Sequence, residues 1–367
     1  KGARVTTALG YESKVSNRTQ VLGEYKSTDK PSDILRKELY DAGIEPPPYP
    51  NAAHHIVPVK DKRAKVARDI LSEYGIDPNA AVNGVFLPSV KEHKWVGDEA
   101  RHIGGHSLDY INYVTMRLNA VQMRGGSQAD IVDVLNDIRS KLLNSSSKLN
   151  NKYCFKQPPL LRYNLCGGGF FFILQYETAE GKQMKIWRLE SVLDSEFEDL
   201  HLVSEDYSLF YRFHEPIPLA DSWKEVEVYT LTKGKESDLP KFWGAPYVPV
   251  FSEKALNVVH DLVKDQIEAL PLAHPEKRFY AIHVLNVIDA IDYKRAEVEQ
   301  LRSGLRIGFK KYAFIEEKVK NAHIFKVYLD DRPILPVLVS DQFRETVLSN
   351  GLSGFDFIEV WDSEKND

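Results

Sequence analysis

The sequence predicts an α+β protein built from two domains, and three observations support this prediction. The chain has 367 residues, which is longer than one ordinary core and suits two domains of about 100–200 residues each. Helical and strand-like patterns follow one another in no repeating order, which is typical of α+β folds. Ser145-Ser146-Ser147, Pro158-Pro159 and Gly167-Gly168-Gly169 have the composition of a linker between two halves.

These features give four segments. We expect a connector over 1–31, a first domain over 32–150, a linker over 151–169 and a second domain over 170–367. Charge divides in the same way: residues 1–150 hold 21 basic and 18 acidic residues, whereas the rest of the chain holds 27 and 35. A mildly basic half tolerates a polyphosphate, whereas an acidic half repels it.

Most of the helices are predicted in the first half. Ser32 is the predicted N-cap of a helix that Gly43 ends, and the prolines from Pro46 to Pro50 then force an extended chain. Residues 54–59 are strand-like, and Val82 to Pro88 has the composition of a turn that enters a strand. The predicted helices are 33–42, 62–74, 106–121 and 128–143.

The second half is richer in strand formers. No run of about 18 apolar residues occurs, so we expect no membrane span, and the N-terminus lacks the apolar segment of a signal peptide. The chain also lacks an initiator Met, which favours a C-terminal part of a longer protein. The predicted strands are 170–176, 184–190, 226–232, 279–286 and 323–329, with helices at 252–268 and 340–349.

His54 and His55 are the first candidates for chemistry. Successive side chains of a strand point to opposite faces, so one ring can bind a metal while the other faces a substrate. Taken alone, the pair also fits two ordinary half-buried histidines.

A second histidine pair, His102 and His106, changes that balance. Three intervening residues can bring two imidazoles to one side of a helical turn, although Gly104-Gly105 favours a loop that leads into a helix at His106. The two pairs together fit a three-imidazole metal site with one open position. His93 remains an alternative ligand in place of His102.

Three motifs then follow one another in a recognisable order. They are Ala53-His54-His55, Asn83-Gly84-Val85-Phe86-Leu87-Pro88 and His102-Ile103-Gly104-Gly105-His106. This order resembles the AHH family of HNH (His-Me finger) nucleases, which are toxin domains at the C-termini of bacterial polymorphic toxins. The resemblance covers about residues 32–121 and implies a ββα-metal fold for the first domain.

The resemblance also implies residue roles. His54, His102 and His106 would bind one divalent metal, with Mg, Mn, Ni and Zn all open. His55 would be the general base that activates the attacking water, a role that suits an imidazole near neutral pH. Asn83 would hold the loop and orient His55 through a hydrogen bond.

A basic run follows the predicted catalytic strand. Lys60, Arg63 and Lys65 are the predicted contacts to the phosphate backbone of a nucleic acid, with DNA favoured over RNA. The alternative is a solvated helix face.

The second half carries no catalytic pattern, but its strands resemble an immunity-protein family of bacterial toxin systems over about 170–362. Seven acidic residues between Glu190 and Asp206 fit either a solvated face or a surface that mimics phosphate and occupies the nuclease groove. The matching pieces are Met184–Leu189, Phe279–Val287, Ile288–Asp292 and Gly351–Phe357.

Together these features predict an HNH-type endonuclease toxin. It would be made in a bacterial cytoplasm and delivered as an antibacterial effector, by type VI secretion for example, into the cytoplasm of a target cell. A fusion with a built-in restraint would place the toxin–immunity contact within one chain, whereas the alternative is a second half that serves delivery or binding. No membrane partner is expected. The alternative function is a non-enzymatic binding or immunity protein whose histidines hold a structural metal.

Overall fold

The computed structural model describes residues 19–21, 23–26, 28–89, 100, 102, 105–144 and 183–365. The predicted strand at 170–176, the predicted linker, the alternative ligand His93 and the connector up to residue 18 lie outside the described residues.

The first half pairs a β-hairpin with helices. The helix predicted at 33–42 begins at Pro31, not after Ser32, because proline suits the first position of a helix and Lys30 precedes it without a side-chain cap. The elements are α1 (Pro31–Asp41), β1 (Asn51–His55), α2 (Lys65–Glu73), β2 (Gly84–Pro88), α3 (Leu108–Met123) and α4 (Gln128–Leu143).

Strands β1 and β2 are antiparallel, and their register pairs His55 with Gly84 and His54 with Val85. A Cβ on Gly84 would lie 2.6 Å from Cδ1 of Leu35 in α1. Only glycine therefore lets α1 pack this closely over the hairpin. In chain order α2 lies between β1 and β2, so the ββα unit that the resemblance implies consists of the two paired strands and α3.

Helix α4 supports the hairpin from beneath. Arg139 is fully buried, and its Nε donates to the carbonyl of Gly84 at 3.0 Å while NH2 donates to the carbonyl of Val82. A buried guanidinium that satisfies buried carbonyls fixes the start of β2. The sequence pattern did not single out this residue.

The second half is built on two larger sheets. Its elements are β3 (Lys185–Ser191), β4 (Asp199–Leu202), β5 (Val226–Thr232), β6 (Lys241–Phe242), β7 (Val250–Ser252), α5 (Glu253–Val263), β8 (Ile267–Ala273), β9 (Arg278–Val284), β10 (Val287–Ile288), β11 (Glu297–Gln300), β12 (Arg306–Lys311), α6 (Glu316–Val319), β13 (Ile324–Leu329), β14 (Arg332–Pro333), β15 (Leu338–Ser340), α7 (Asp341–Ser349) and β16 (Phe355–Asp362). In the described part of the chain, one sheet has the order β10-β13-β15-β3-β16, with β14 beside β13, and the other has the order β6-β4-β5-β8-β9-β7.

The α+β class is confirmed, and the predicted strands near 184–190, 226–232, 279–286 and 323–329 are present. The helix predicted over 252–268 was too long. It ends at Val263, and Ile267 starts β8, which pairs with β9 along its whole length. Ladder pairing with a neighbouring strand overrides the local helical pattern there.

The two halves share one hydrophobic core, because a single buried cluster includes Leu118 and Leu135 of the first half and Leu200 and Phe210 of the second. A separate contact packs Trp243 against Ile111 of α3. No helix among the described residues is long and apolar enough to cross a membrane.

Candidate active site

His54 and His55 end strand β1 and face different surroundings, as alternation along a strand requires. The ring of His54 lies 5.1 Å from the ring of His102 and 4.8 Å from that of His106, measured between centroids. His55 faces Asn79 instead, with 3.2 Å between its Nε2 and Oδ1 of the amide. The structure therefore brings His54, His102 and His106 together and leaves His55 apart.

The loop and helix after β2 carry the other two rings. The backbone N–H of His102 donates to the carbonyl of Pro88 at 2.8 Å, which holds His102 against the end of β2. His106 lies two residues before α3, whose first turn is capped by Ser107. The helix predicted from residue 106 thus begins at Leu108, and neither His102 nor His106 lies in a helix.

The hydrogen bonds of these rings decide which nitrogen is free. Nε2 of His106 lies 3.2 Å from the carbonyl oxygen of His55. Because a carbonyl only accepts, Nε2 of His106 carries the proton and Nδ1 keeps its lone pair. Metal-binding histidines commonly donate their other N–H to a carbonyl in this way.

Nδ1 of His54 lies 3.0 Å from Nδ1 of His102. Two imidazole nitrogens on one tetrahedral ion are about 3.3 Å apart when each metal–nitrogen bond is about 2.0–2.1 Å. Within the described part of the chain, no three His, Cys, Asp or Glu side chains already surround one point as a complete ligand set. The donor chemistry nevertheless fits a metal, since Nδ1 of His54 faces Nδ1 of His102 and the ring of His106 lies beside that of His54.

Burial keeps these rings neutral. It lowers the pKa of His54 well below its ordinary value, and it lowers the pKa of His55 and that of His106 each to about 4. The pKa of His102 is lowered by burial as well. Neutral imidazole is the form that binds metals and accepts protons.

The prediction of a hydrogen bond between Asn83 and His55 was wrong. Oδ1 of Asn83 accepts from the N–H of Val57 at 2.8 Å, and its Nδ2 donates to the carbonyls of Val57 and Pro78 at 3.1 and 2.7 Å. A buried amide bonds to the nearest backbone groups, so Asn83 anchors the exit of β1. The residue that contacts the ring of His55 is Asn79, whose backbone N–H donates to Oδ1 of Asp77.

The basic run is largely paired. Arg63 forms an ion pair with Asp61 at 2.5 Å, and Lys65 pairs with Asp69 at 2.5 Å while it lies over the ring of Tyr207 from the second half. Lys60 is exposed. Of the three predicted phosphate contacts, Lys60 is therefore the most accessible, and Arg63 and Lys65 would have to exchange partners.

Acid is expected to destabilise the metal-free protein. Because the folded-state pKa values of His55 and His106 are near 4, the unfolded chain binds more protons below about pH 6.5. The stability that these two rings contribute is complete above that pH and is lost as the pH falls toward 4. We expect the free energy of unfolding to fall by a few kcal/mol between pH 7 and 5.

Urea unfolding in EDTA at both pH values measures this loss. His55→Asn should reduce the difference between the two pH values, whereas His260→Asn, on an exposed ring, should leave it unchanged. Equal pH dependence in all three proteins would contradict the burial argument.

Comparisons with known proteins find two families. Residues 35–142 match AHH, a nuclease family of the HNH/ENDO VII superfamily with a conserved AHH, and residues 271–362 match the immunity protein family Imm11. The second match is shorter than the 170–362 expected from the sequence. No curated protein matches the chain.

Proposed function

We propose that this chain is a metal-dependent endonuclease toxin joined to an immunity-like domain that restrains it, because residues 35–142 match the AHH nuclease family and residues 271–362 match the Imm11 immunity family. Nucleases of this superfamily generally use a divalent metal. The single observation that carries the proposal is the placement of His54, His102 and His106 around one another, with His55 on the other side of the strand.

His55 is the proposed general base. Its Nε2 faces the amide oxygen of Asn79, so Nε2 carries the proton and Nδ1 is the atom that can accept one from water. Its lowered pKa keeps Nδ1 unprotonated at neutral pH. Asn79 holds the ring orientation, and Asn83 fixes the backbone from which the ring projects.

His54, His102 and His106 are the proposed metal ligands. When bound, the ion would stabilise the negative charge that develops on the phosphate during hydrolysis. Imidazole nitrogen suits Zn²⁺ and Ni²⁺ better than it suits Mg²⁺. We therefore propose Zn²⁺ or Ni²⁺ as the cofactor. The proposed substrate is DNA, which the sequence analysis favours over RNA.

The assay is cleavage of supercoiled plasmid and of structured RNA by the whole chain with Zn²⁺, Ni²⁺, Mn²⁺ or Mg²⁺, and with EDTA. Metal-dependent cleavage of plasmid supports the proposal, and cleavage of RNA alone would show that RNA and not DNA is the substrate. If the chain binds metal but cleaves neither, the non-enzymatic alternative gains support.

Contacts between the halves support the proposed restraint. The acidic segment Leu193–Asp199 lies beside Arg63 and Leu108 in one shared crevice, and Asp199 raises the pKa of Arg63 after the larger effect of Asp61. Glu198 and Asp199 are already bonded within the second half, to Lys277 and Trp243. The segment would therefore act by covering the flank of the site more than by mimicking phosphate.

Among the described residues, α3 and Arg124, the residue that follows it, make most of the polar contacts between the halves. Arg124 donates to the carbonyls of Arg306 and Leu329 at 3.0 and 2.6 Å and pairs with Asp330 at 2.9 Å, and Arg117 pairs with Glu299. Both side chains are about nine-tenths buried, at 9% and 11% exposure. Their carboxylate partners Asp330 and Glu299 are 40% and 29% exposed, so each pair joins a buried guanidinium to a partly exposed carboxylate and favours one docking geometry.

Reversing one of these charges is expected to loosen the restraint. Glu299→Arg places two guanidinium groups together at Arg117, which should cost about 2 kcal/mol of docking free energy and raise the cleavage rate up to about 30-fold. Glu253→Arg is the matched control, since Glu253 pairs with Arg278 inside the second half. Plasmid cleavage by the whole chain is the measurement, and equal rates in the two variants would refute the restraint.

The families matched are those of a nuclease and an immunity protein. Delivery into the cytoplasm of a competing bacterium, with type VI secretion as one route, is the biological setting that we propose for this pair.

A further inference from the structure

The hydroxyl of Tyr110 lies between two groups of the candidate site. Tyr110 is fully buried on α3. Its oxygen is 2.9 Å from the carbonyl oxygen of Ile56 and 3.4 Å from Nε2 of His54. A phenol carries one proton and a carbonyl can only accept, so Tyr110 donates to Ile56.

This arrangement determines the proton position on His54. Since the hydroxyl proton is used at Ile56, the oxygen of Tyr110 can only accept from the ring. Nε2 of His54 must then carry its proton, and Nδ1 is left with a lone pair. Nδ1 is the atom that faces Nδ1 of His102 at 3.0 Å. Because two lone pairs repel at that distance, Nδ1 of His102 carries the proton of this contact in the metal-free protein and would give it up when an ion binds.

We propose that Tyr110 is a positioning residue that selects the Nε2–H tautomer of His54 and so makes Nδ1 the metal-binding atom. The ligand role rests on the proposed function. The tautomer itself does not, because it follows from the two contacts of the hydroxyl.

Tyr110 also orients a second ring. It is stacked on His106, with 5.3 Å between centroids, and its own N–H is capped by Ser107 Oγ at 3.2 Å. Helix α3 therefore delivers one rigid aromatic side chain that touches two proposed ligands. Partners of this kind raise metal affinity because they fix the ring orientation before the ion arrives.

A purely structural role for Tyr110 would have different consequences. Tyr110→Phe keeps the ring, its packing and its stacking on His106, and removes only the hydroxyl. Without that oxygen, His54 can place its proton on Nδ1, where it would block the ligand atom. A structural role predicts no change in tautomer and no loss of metal affinity.

The test uses the whole chain labelled with ¹⁵N in histidine. Imidazole ¹⁵N spectra of the metal-free protein should give His54 as the Nε2–H tautomer, and Tyr110→Phe should give a mixture. Calorimetric titration with Zn²⁺ should show an affinity about 10–100-fold lower in the variant. Tyr113→Phe is the matched control, because it removes a hydroxyl that is bonded to Lys141 outside the site, and it should change neither measurement.

Two results would overturn the inference: an Nδ1–H tautomer of His54 in the parent protein, or unchanged Zn²⁺ affinity in Tyr110→Phe. If Tyr110→Phe fails to fold, the tautomer of His54 in the parent protein still tests the inference. Failure of the proposed function is a separate outcome, in which the parent has the Nε2–H tautomer but neither binds metal nor cleaves nucleic acid. That outcome refutes the ligand role and leaves the positioning of the proton intact.

Discussion

Replacing His55 with Ala is expected to lower the rate of nucleic-acid cleavage by about 10²–10⁴-fold, the range for removal of a general base. The ring lies at the end of β1, and its side chain makes one hydrogen bond, to Asn79, among the described residues. Because the ring is buried, its removal leaves a cavity that should lower the free energy of unfolding by about 2–3 kcal/mol, so cleavage is measured at low temperature on the folded variant. The three proposed ligands are untouched, so metal affinity should stay close to that of the parent.

Turnover at saturating metal, measured beside calorimetric metal binding, separates this role from a structural one. His260→Ala, on an exposed ring of α5, controls for loss of a histidine. Should His55→Ala cleave at the parental rate, the base must be sought elsewhere. Should it lose metal as well as activity, His55 belongs with the ligands.

The two asparagines near the site are expected to behave in opposite ways. Asn83→Ala removes three buried hydrogen bonds and leaves Val57 and Pro78 with unsatisfied backbone groups. We expect it to lower the free energy of unfolding by about 3 kcal/mol or more, at about 1–3 kcal/mol for each buried group left unpaired. Asn79→Ala removes one contact to His55 and should cost about 1 kcal/mol or less.

Asn79→Ala should lose activity although it keeps most of its stability. Asn79→Ala frees the ring of His55 and should lower turnover about 10-fold or more while the protein stays folded. Urea unfolding and turnover at low temperature, measured on both variants, check the pair. If Asn83→Ala is as stable as Asn79→Ala, the hydrogen bonds assigned to Asn83 are incorrect.

The sequence predicted the site where its signal is local. Strand alternation separates His54 from His55, and the downstream pair His102 and His106 supplies the other two rings. Asn83 was found from its motif but given the wrong partner, because a motif does not reveal which backbone groups a buried amide can reach. Asn79 and Tyr110 depend on how a turn and a helix pack against β1, and no spacing rule points to them.

The docking of the two halves was not predictable in the same way. The stripe Ile111, Thr115, Asn119 and Gln122 runs along α3, and its two ends contact Trp243 and Tyr211 of the second half. Thr115 and Asn119 are nonetheless fully buried. Polar residues at helical spacing are typical of a solvated face, so no pattern in the sequence points to the packing of the second half there.

In the proposed mechanism, the three imidazoles hold a metal that His55 needs for hydrolysis. The most direct measurement is cleavage of supercoiled plasmid by the whole chain carrying Glu299→Arg, with and without His55→Ala, in Zn²⁺ or Ni²⁺ and in EDTA. We predict cleavage that requires both the metal and His55. Cleavage that persists in EDTA or in His55→Ala, or its absence under every metal condition, would contradict the account.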